Sequence, residues 1–231
     1  MHSINEHTTA ILVFALSSKE EQRHKNIDNG SELFEALSKH TLNTVQKTGL
    51  PYFHLTENEQ IGNSFGERFS NAIQSIYNKG FNQIITIGND TPQLKASHIQ
   101  KAAELLDKNK MVLGPSKDGG FYLMGLQREL FNASTFENLP WQTSRLRHQL
   151  TSELSTSIDD LILLEALIDI DNLHDLKTIS KFTGQLAFHI TKIIQSIINS
   201  NTRIFKIDII CQGQFKSNIH QNRGSPILQW A

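Results

Sequence analysis

Continuously apolar runs alternate along this chain with segments whose apolar residues recur at helical spacing. Ala10-Ile11-Leu12-Val13-Phe14-Ala15-Leu16 is apolar throughout, partly β-branched and bounded by polar clusters, as expected of a strand buried on both faces. Leu33, Phe34, Leu37, Thr41 and Val45 then fall on one helical face, with Ser31 as the expected N-cap and Gly49 and Pro51 as stops. Tyr52-Phe53-His54-Leu55 reads as a short second strand. Phe65, Phe69, Ala72, Ile73, Ile76 and Tyr77 mark an amphipathic helix closed by Lys79-Gly80. Gln83 to Gly88 reads as a third strand. Pro92 is expected in the first turn of the next helix, whose buried face holds Leu94, Ile99, Ala102, Ala103 and Leu106. Met111-Val112-Leu113 and Phe121 to Leu126 are two further strands. The segment between the first strand and first helix, Ser17 to Gly30, is polar and reads as a loop.

The remaining third has weaker patterning. Thr143 to Leu154, Ser157 to Leu167, Leu173 to Phe182 and Leu186 to Ile198 are expected to be helical. Leu167-Ile168-Asp169-Ile170 is a candidate short strand, and Arg203 to Cys211 a late one. Alternation of strands and helices over the first two thirds implies βαβ units and a mainly parallel sheet, with right-handed crossovers. The expected organisation is a core over 1–176 and a C-terminal helical and strand extension over 177–231, packed on the same domain.

Composition narrows the function classes. With 38% hydrophobic and 19% charged residues, the 231-residue chain is neither disordered nor membrane-embedded. A formal net charge of -1 gives no reason to expect nucleic acid as a partner. The single cysteine, Cys211, has no internal disulfide partner and fits a small buried hydrophobe. The run from Ala10 to Leu16 is too short to span a membrane and lacks signal-peptide flanks. A cytoplasmic protein with no membrane partner is therefore expected, with self-association left open.

The candidate chemistry is acidic. In Ile84-Ile85-Thr86-Ile87-Gly88-Asn89-Asp90-Thr91-Pro92, a buried strand ends in glycine, then a carboxylate, then proline. Ligands of open α/β sheets bind at that edge. Asp90 is there a candidate ligand for Mg²⁺ or Mn²⁺, cations that take carboxylates and substrate phosphates. Its alternative role is to cap the following helix. Asp118-Gly119-Gly120 offers a second carboxylate beside glycines that admit close approach of a ligand; otherwise it is a tight turn between two strands. Asp169, Asp171 and Asp175 form a third cluster. In an extended segment Asp169 and Asp171 point the same way, which favours a cation between them; alternatively Asp171 or Asn172 caps a helix. The chain has no phosphate-binding loop ending in Gly-Lys-Ser/Thr, no Gly-x-Gly-x-x-Gly and no Gly-x-Ser-x-Gly elbow.

These segments together resemble a known family. Gly88-Asn89-Asp90-Thr91-Pro92-Gln93-Leu94 resembles a Gly-Ser-Asp-x-Pro-x-Leu motif. Val112 to Leu126 is similar to a Gly-Pro-x-x-Asp-Gly-Gly-Tyr-x-Leu-x-Gly block. Pro140-Trp141-Gln142-Thr143-Ser144 resembles a Trp-Ser-Thr element, and Asp169, Asp171 and Asp175 a closing Asp-x-Asp-x-x-x-Asp. Gly62 to Arg68 looks like a Gly-x-x-Gly-Glu-Arg helix start. The family is the bacterial nucleotide-diphospho-sugar transferase-like group, similar to arsenosugar-biosynthesis glycosyltransferases and distantly to molybdenum-cofactor guanylyltransferases. The resemblance spans about residues 10 to 176.

It implies a GT-A type α/β fold, a mixed and mainly parallel sheet with helices on both faces. It also implies a metal-dependent glycosyltransferase using a nucleotide-activated sugar. Asp90 would hold Mg²⁺ or Mn²⁺, with Asp171 or Asp169 as the late second ligand. Asp118, Gly119, Gly120, Trp141 and Thr143 would line the substrate side, and Asp118 is the candidate for the general base that an inverting transferase needs. One segment departs from the family: where a Lys-Thr-Arg-Leu loop holds the nucleotide, this chain has Ser17-Ser18-Lys19-Glu20-Glu21-Gln22-Arg23-His24-Lys25-Asn26-Ile27. Aligned without gaps, His24 and Asn26 replace the basic pair; a slip of one residue offers Arg23 and Lys25 to the phosphates. Two other readings stay open: a nucleotidyltransferase on the same fold, and a non-catalytic binding protein that has lost the donor loop.

Overall fold

The computed structural model describes residues 8–25, 27–143, 145–154 and 161–201. Its framework is a six-stranded sheet: β1 (Thr9–Phe14), β2 (Tyr52–Leu55), β3 (Gln83–Ile87), β4 (Met111–Pro115), β5 (Phe121–Gln127) and β6 (Leu161–Leu163), in the order β2-β1-β3-β5-β4-β6. β1 pairs parallel with β2 and β3, and β4 parallel with β6; β5 runs antiparallel to both β3 and β4. The expected mixed, mainly parallel sheet is therefore what forms. The antiparallel strand arises because β4 and β5 are joined by the short 116–120 loop, too short for the crossover a parallel pair needs.

Side-chain alternation along β1 and β3 sends apolar groups to both faces, where helices cover them. Ala10, Leu12 and Ile84 pack with α4 (Phe65–Tyr77), through Phe69, Ala72, Ile73 and Ile76, and with Phe136 of α6 (Ala133–Glu137). Leu146 and Leu150 of α7 (Leu146–Leu154) close that layer. Ile11, Val13, Ile85 and Ile87 face Val45 of the long helix Ser31–Gln46, here α3, and Ile99, Ala102 and Leu106 of α5 (Ala96–Leu106). A third cluster joins Leu33, Phe34 and Leu37 of α3 to Leu176 and Ile179 of α8 (Leu173–Ile179) and to Ile190, Ile194 and Ile197 of a helix over 188–201. No helix among the described residues is long and apolar enough to cross a membrane.

Several expectations are corrected. Part of the polar segment Ser17 to Gly30 is a helix, Ser18–His24, here α1. Ser17 caps α1 by accepting from the Glu20 amide, Glu20 and Glu21 sit in its first turn, and Arg23 and His24 in its last. That charge order complements the helix dipole, and it carries no apolar periodicity to detect. The cap of the long helix is Gly30 rather than Ser31. Pro92 opens a turn, closed by Leu94 N–H donating to Thr91 C=O at 3.1 Å, and the helix begins only at Ala96. Within the expected helix 157–167, residues 161–163 instead form β6, and Leu167 bridges Ser116. Helix α8 stops at Ile179 and gives way to a 3₁₀ segment over Ser180–Gln185. The late strand expected over 203–211, with Cys211, lies outside the described residues.

Candidate functional site

The carboxyl ends of β1 and β3 and the loop after β4 open onto one cavity of about 680 Å³. Its acidic side is assembled by backbone pairing of the late segment 167–171. Lys117 N–H donates to Leu167 C=O at 3.0 Å, and Leu167 N–H donates to Pro115 C=O at 3.1 Å. Ile170 N–H donates to Asp90 C=O at 3.0 Å. Gln93 accepts from Ile168 N–H at 3.1 Å. These contacts place Asp169 and Asp171 beside Asp90, residues far apart in sequence.

Asp169 accepts hydrogen bonds from the Thr91 and Ser116 hydroxyls, one on each carboxylate oxygen. Burial is the main reason its carboxyl is pushed up to about 8; the charge of Asp90 adds to the rise, and the two hydroxyls oppose it. Asp171 is raised as well, first by burial, with Lys25 pulling it down and Asp90 pushing it up.

Lys25 lies at the centre of the acidic side. Its Nζ stands 2.8 Å from Asp90 Oδ2, 3.1 Å from Asp171 Oδ1 and 3.2 Å from Glu21 Oε2, and it donates to Ile170 C=O at 2.8 Å. The side chain is only 12% exposed. Burial alone would lower its pKa, but Asp90, Glu21 and Asp171 more than offset that and hold it above the ordinary lysine value. An ammonium has three donors, and here four acceptors claim them.

The opposite wall is aromatic. Trp141 packs against Phe65 and Phe69 with ring centroids 5.4 and 5.0 Å apart, and its indole N–H donates to Phe136 C=O. The next residue, Gln142, has φ 60°, a left-handed conformation that side chains other than glycine adopt at some cost. Arg68 of α4 lines the same cavity, with no carboxylate in ion-pair range among the described residues.

Of the residues singled out by sequence, Asp90, Asp118, Gly120, Trp141, Thr143, Asp169, Asp171 and Lys25 line this cavity. Gly119 and Arg23 do not. Gly119 occupies the 116–120 turn with φ 103°, where its amide donates to Ser116 C=O. The same turn is closed by Gly120 N–H donating to Asp118 Oδ1 at 3.0 Å. Arg23 sits on the outer side of α1, paired with Glu20 at 2.7 Å and 62% exposed. Asp175 completes the capping of α8: Asn172 is the N-cap, and the Asp175 carboxylate accepts from the Asp171 and Asn172 amides, each at 3.0 Å. Asp90 caps no helix, because Lys95 holds that position in α5. Sequence reasoning passed over Arg68 as a ligand group and Glu21 as a partner of Lys25. The Glu21–Lys25 spacing of four on a helix was the available signal for the second.

Among the described residues, no three His, Cys, Asp or Glu side chains are arranged to hold a metal ion. The carboxylates expected to bind Mg²⁺ or Mn²⁺ already surround an ammonium, so the donor set as folded does not fit a divalent ion.

This fold is that of nucleotide-diphospho-sugar transferases. The crystal structure of a protein from Desulfovibrio desulfuricans G20, provisionally named as such a transferase, superposes with a TM-score of 0.70 over 84% of this chain and 97% of that one, at 19% identity. More remote are a glycosyltransferase involved in glycosylation of the major capsid of PBCV-1 and Rv0371c of Mycobacterium tuberculosis H37Rv in complex with manganese. The first has a TM-score of 0.43 at 14% identity, covering 68% of this chain and 81% of that one. The second has a TM-score of 0.39 at 9% identity, covering 74% and 96%. Both are too distant to bear on function. Residues 35–143 match the family described as "Uncharacterized protein conserved in bacteria (DUF2064)". No curated protein matches the chain.

Proposed function

We propose that this protein is a transferase acting on a nucleotide-activated sugar held in the cavity at the carboxyl ends of β1 and β3. The observation that carries the reading is the joint placement of Asp118, Trp141 and Arg68 around that one cavity, in a fold shared with a provisionally named nucleotide-diphospho-sugar transferase. Arg68 supplies a guanidinium for the donor diphosphate, the geometry in which arginine is strongest. The charge of Lys25 reduces repulsion between the acidic side and that anion. Trp141 and Phe65 give an apolar wall for a base or sugar face.

Asp118 is the general base of this reading. It takes the proton of an acceptor hydroxyl as that oxygen bonds to the anomeric carbon; the bond from that carbon to the diphosphate breaks, and the nucleoside diphosphate leaves with the electron pair. The metal dependence expected from the family resemblance is not carried into this mechanism, because Lys25 fills the place where the ion would sit.

A second reading has its own observation. The segment that holds the nucleotide in the resembled family is here helix α1, and Lys25 donates to the Asp90 carboxylate and the Ile170 carbonyl. That favours a binding protein without catalysis. A thermal-shift screen of nucleotides and nucleotide sugars, with and without Mg²⁺ and Mn²⁺, separates the two. Saturating ligand at about one hundred times its Kd stabilises by roughly 2.7 kcal/mol, a shift of several degrees. The transferase reading expects such a shift for one nucleotide class and its loss in Arg68→Ala. Absence of any shift removes the transferase reading and leaves the binding protein. Pyrophosphate release from a nucleoside triphosphate would instead mark a nucleotidyltransferase.

A further inference from the structure

Three oxygens from carboxylates and one from a backbone carbonyl converge on Lys25 Nζ; they are donors of the type that a hard divalent cation takes, but as folded they are spaced around an ammonium. The four oxygens come from α1, from the turn after β3 and from the 170–171 segment, so the cage closes only in the folded chain. The space between Asp90 Oδ2 and Asp171 Oδ1 is taken by the ammonium, which lies 2.8 and 3.1 Å from them. A second observation concerns the acceptors. Glu21 is 6% exposed, and its buried Oε2 is paired with Nζ at 3.2 Å. Nζ donates to Asp90 and to the Ile170 carbonyl, and Asp171 and Glu21 complete the ring as ion-pair partners.

We propose that the Lys25 ammonium is the permanent cation of this site, occupying the seat of a divalent ion, and that the protein works without a metal there. A tethered ammonium stays in place when free metal is scarce, whereas an exchangeable ion does not. Lys25 acts by neutralising carboxylates and joining three segments, and it is a positioning residue. The inference concerns the resident cation and holds whichever ligand the cavity accepts.

Mn²⁺ titration of the intact chain, followed by the electron paramagnetic resonance signal of free Mn²⁺ and by Tm, tests it. The wild-type protein is expected to leave Mn²⁺ free through the millimolar range with an unmoved Tm. Lys25→Ala is expected to bind one Mn²⁺ at least tenfold more tightly than wild type and to gain Tm on binding, and Lys25→Ala/Asp90→Asn to lose both gains. Where Lys25→Ala does not fold, Lys25→Gln keeps most of the side-chain packing and carries the same expectation. Saturable binding of one Mn²⁺ by the wild type overturns the proposal, as does a folded Lys25 variant with no gain. Nucleotide binding is scored separately in the same samples: a missing nucleotide shift counts against the donor reading alone.

Discussion

Replacing Lys25 by methionine keeps the length of the side chain and removes its charge. The change leaves Glu21, Asp90 and Asp171 facing one another around an apolar group. Breaking a buried ion pair by deleting one partner costs about 3–5 kcal/mol, whereas an exposed pair is worth about 0–1 kcal/mol. Lys25 and Glu21 are 12% and 8% exposed, which places their pairing in the first class. Asp90 at 26% and Asp171 at 47% retain contact with water, which moves the expectation toward the lower end. A loss of roughly 3 kcal/mol, at about 2–4 °C per kcal/mol for a chain of this size, lowers Tm by roughly 6–12 °C. Urea denaturation followed by circular dichroism gives the free energy directly.

The pH dependence supplies a second check with a definite sign. Burial raises the carboxyls of Glu21 and Asp171, and Lys25 opposes that rise; without Lys25 they climb further. A carboxyl whose folded pKa exceeds its unfolded value costs stability above the unfolded value and costs nothing well below it. The deficit of Lys25→Met therefore narrows as pH falls from 7 toward 4. In the wild type, Lys25 is raised above the ordinary lysine value, so its stabilisation is complete below about 10.5 and is lost only at higher pH. A cost under 1 kcal/mol at pH 7, or a deficit that widens on acidification, would refute the reasoning.

Two further outcomes follow from single positions. Asp169, pushed up to about 8, makes stability fall as pH rises from its unfolded value of 3.8 toward 8, because the folded state binds the extra proton in that window. Asp169→Asn should raise Tm at pH 8 and flatten the Tm profile between pH 5 and 8; an unchanged profile would show that the carboxyl is ionised in the folded protein. A Cβ on Gly114 would stand 2.4 Å from Tyr122 Cζ, so Gly114→Ala must displace a buried ring and is expected to cost roughly 1–3 kcal/mol, with a Tm unchanged from wild type as the contrary result.

Much of the sheet was legible because hydrophobic burial writes itself locally. β1 and β3 are apolar at every position or nearly so, since helices cover both faces, and α4 shows its apolar face at helical spacing. Helix α1 escaped that reading because its stability comes from a serine cap, an ordered charge gradient and ion pairs at three and four residues, none of which has an apolar period. β6 was read as helix because three residues of leucine and isoleucine have too few positions to separate the two periods. The turn at Pro92 was read as a helix start because proline suits both, and the choice lies in the hydrogen bond between Leu94 and Thr91.

The same division runs through the site. Asp90, Asp118, Asp169 and Asp171 could be picked out as carboxylates in turns, a property of each local segment. That Asp171 shares a cation with Asp90 depends on backbone pairing between the 167–171 segment and two distant loops, which no local pattern encodes. That Arg23 faces outward while Lys25 faces inward follows from the turn angle of a seven-residue helix and from where that helix docks. By itself the sequence determined the alternating α/β layers and the residue types at the strand ends, because burial and turn chemistry act over a few neighbours. Only the tertiary structure decided which cation the carboxylates hold, because electrostatic pairing depends on distances set by packing between segments far apart in the chain.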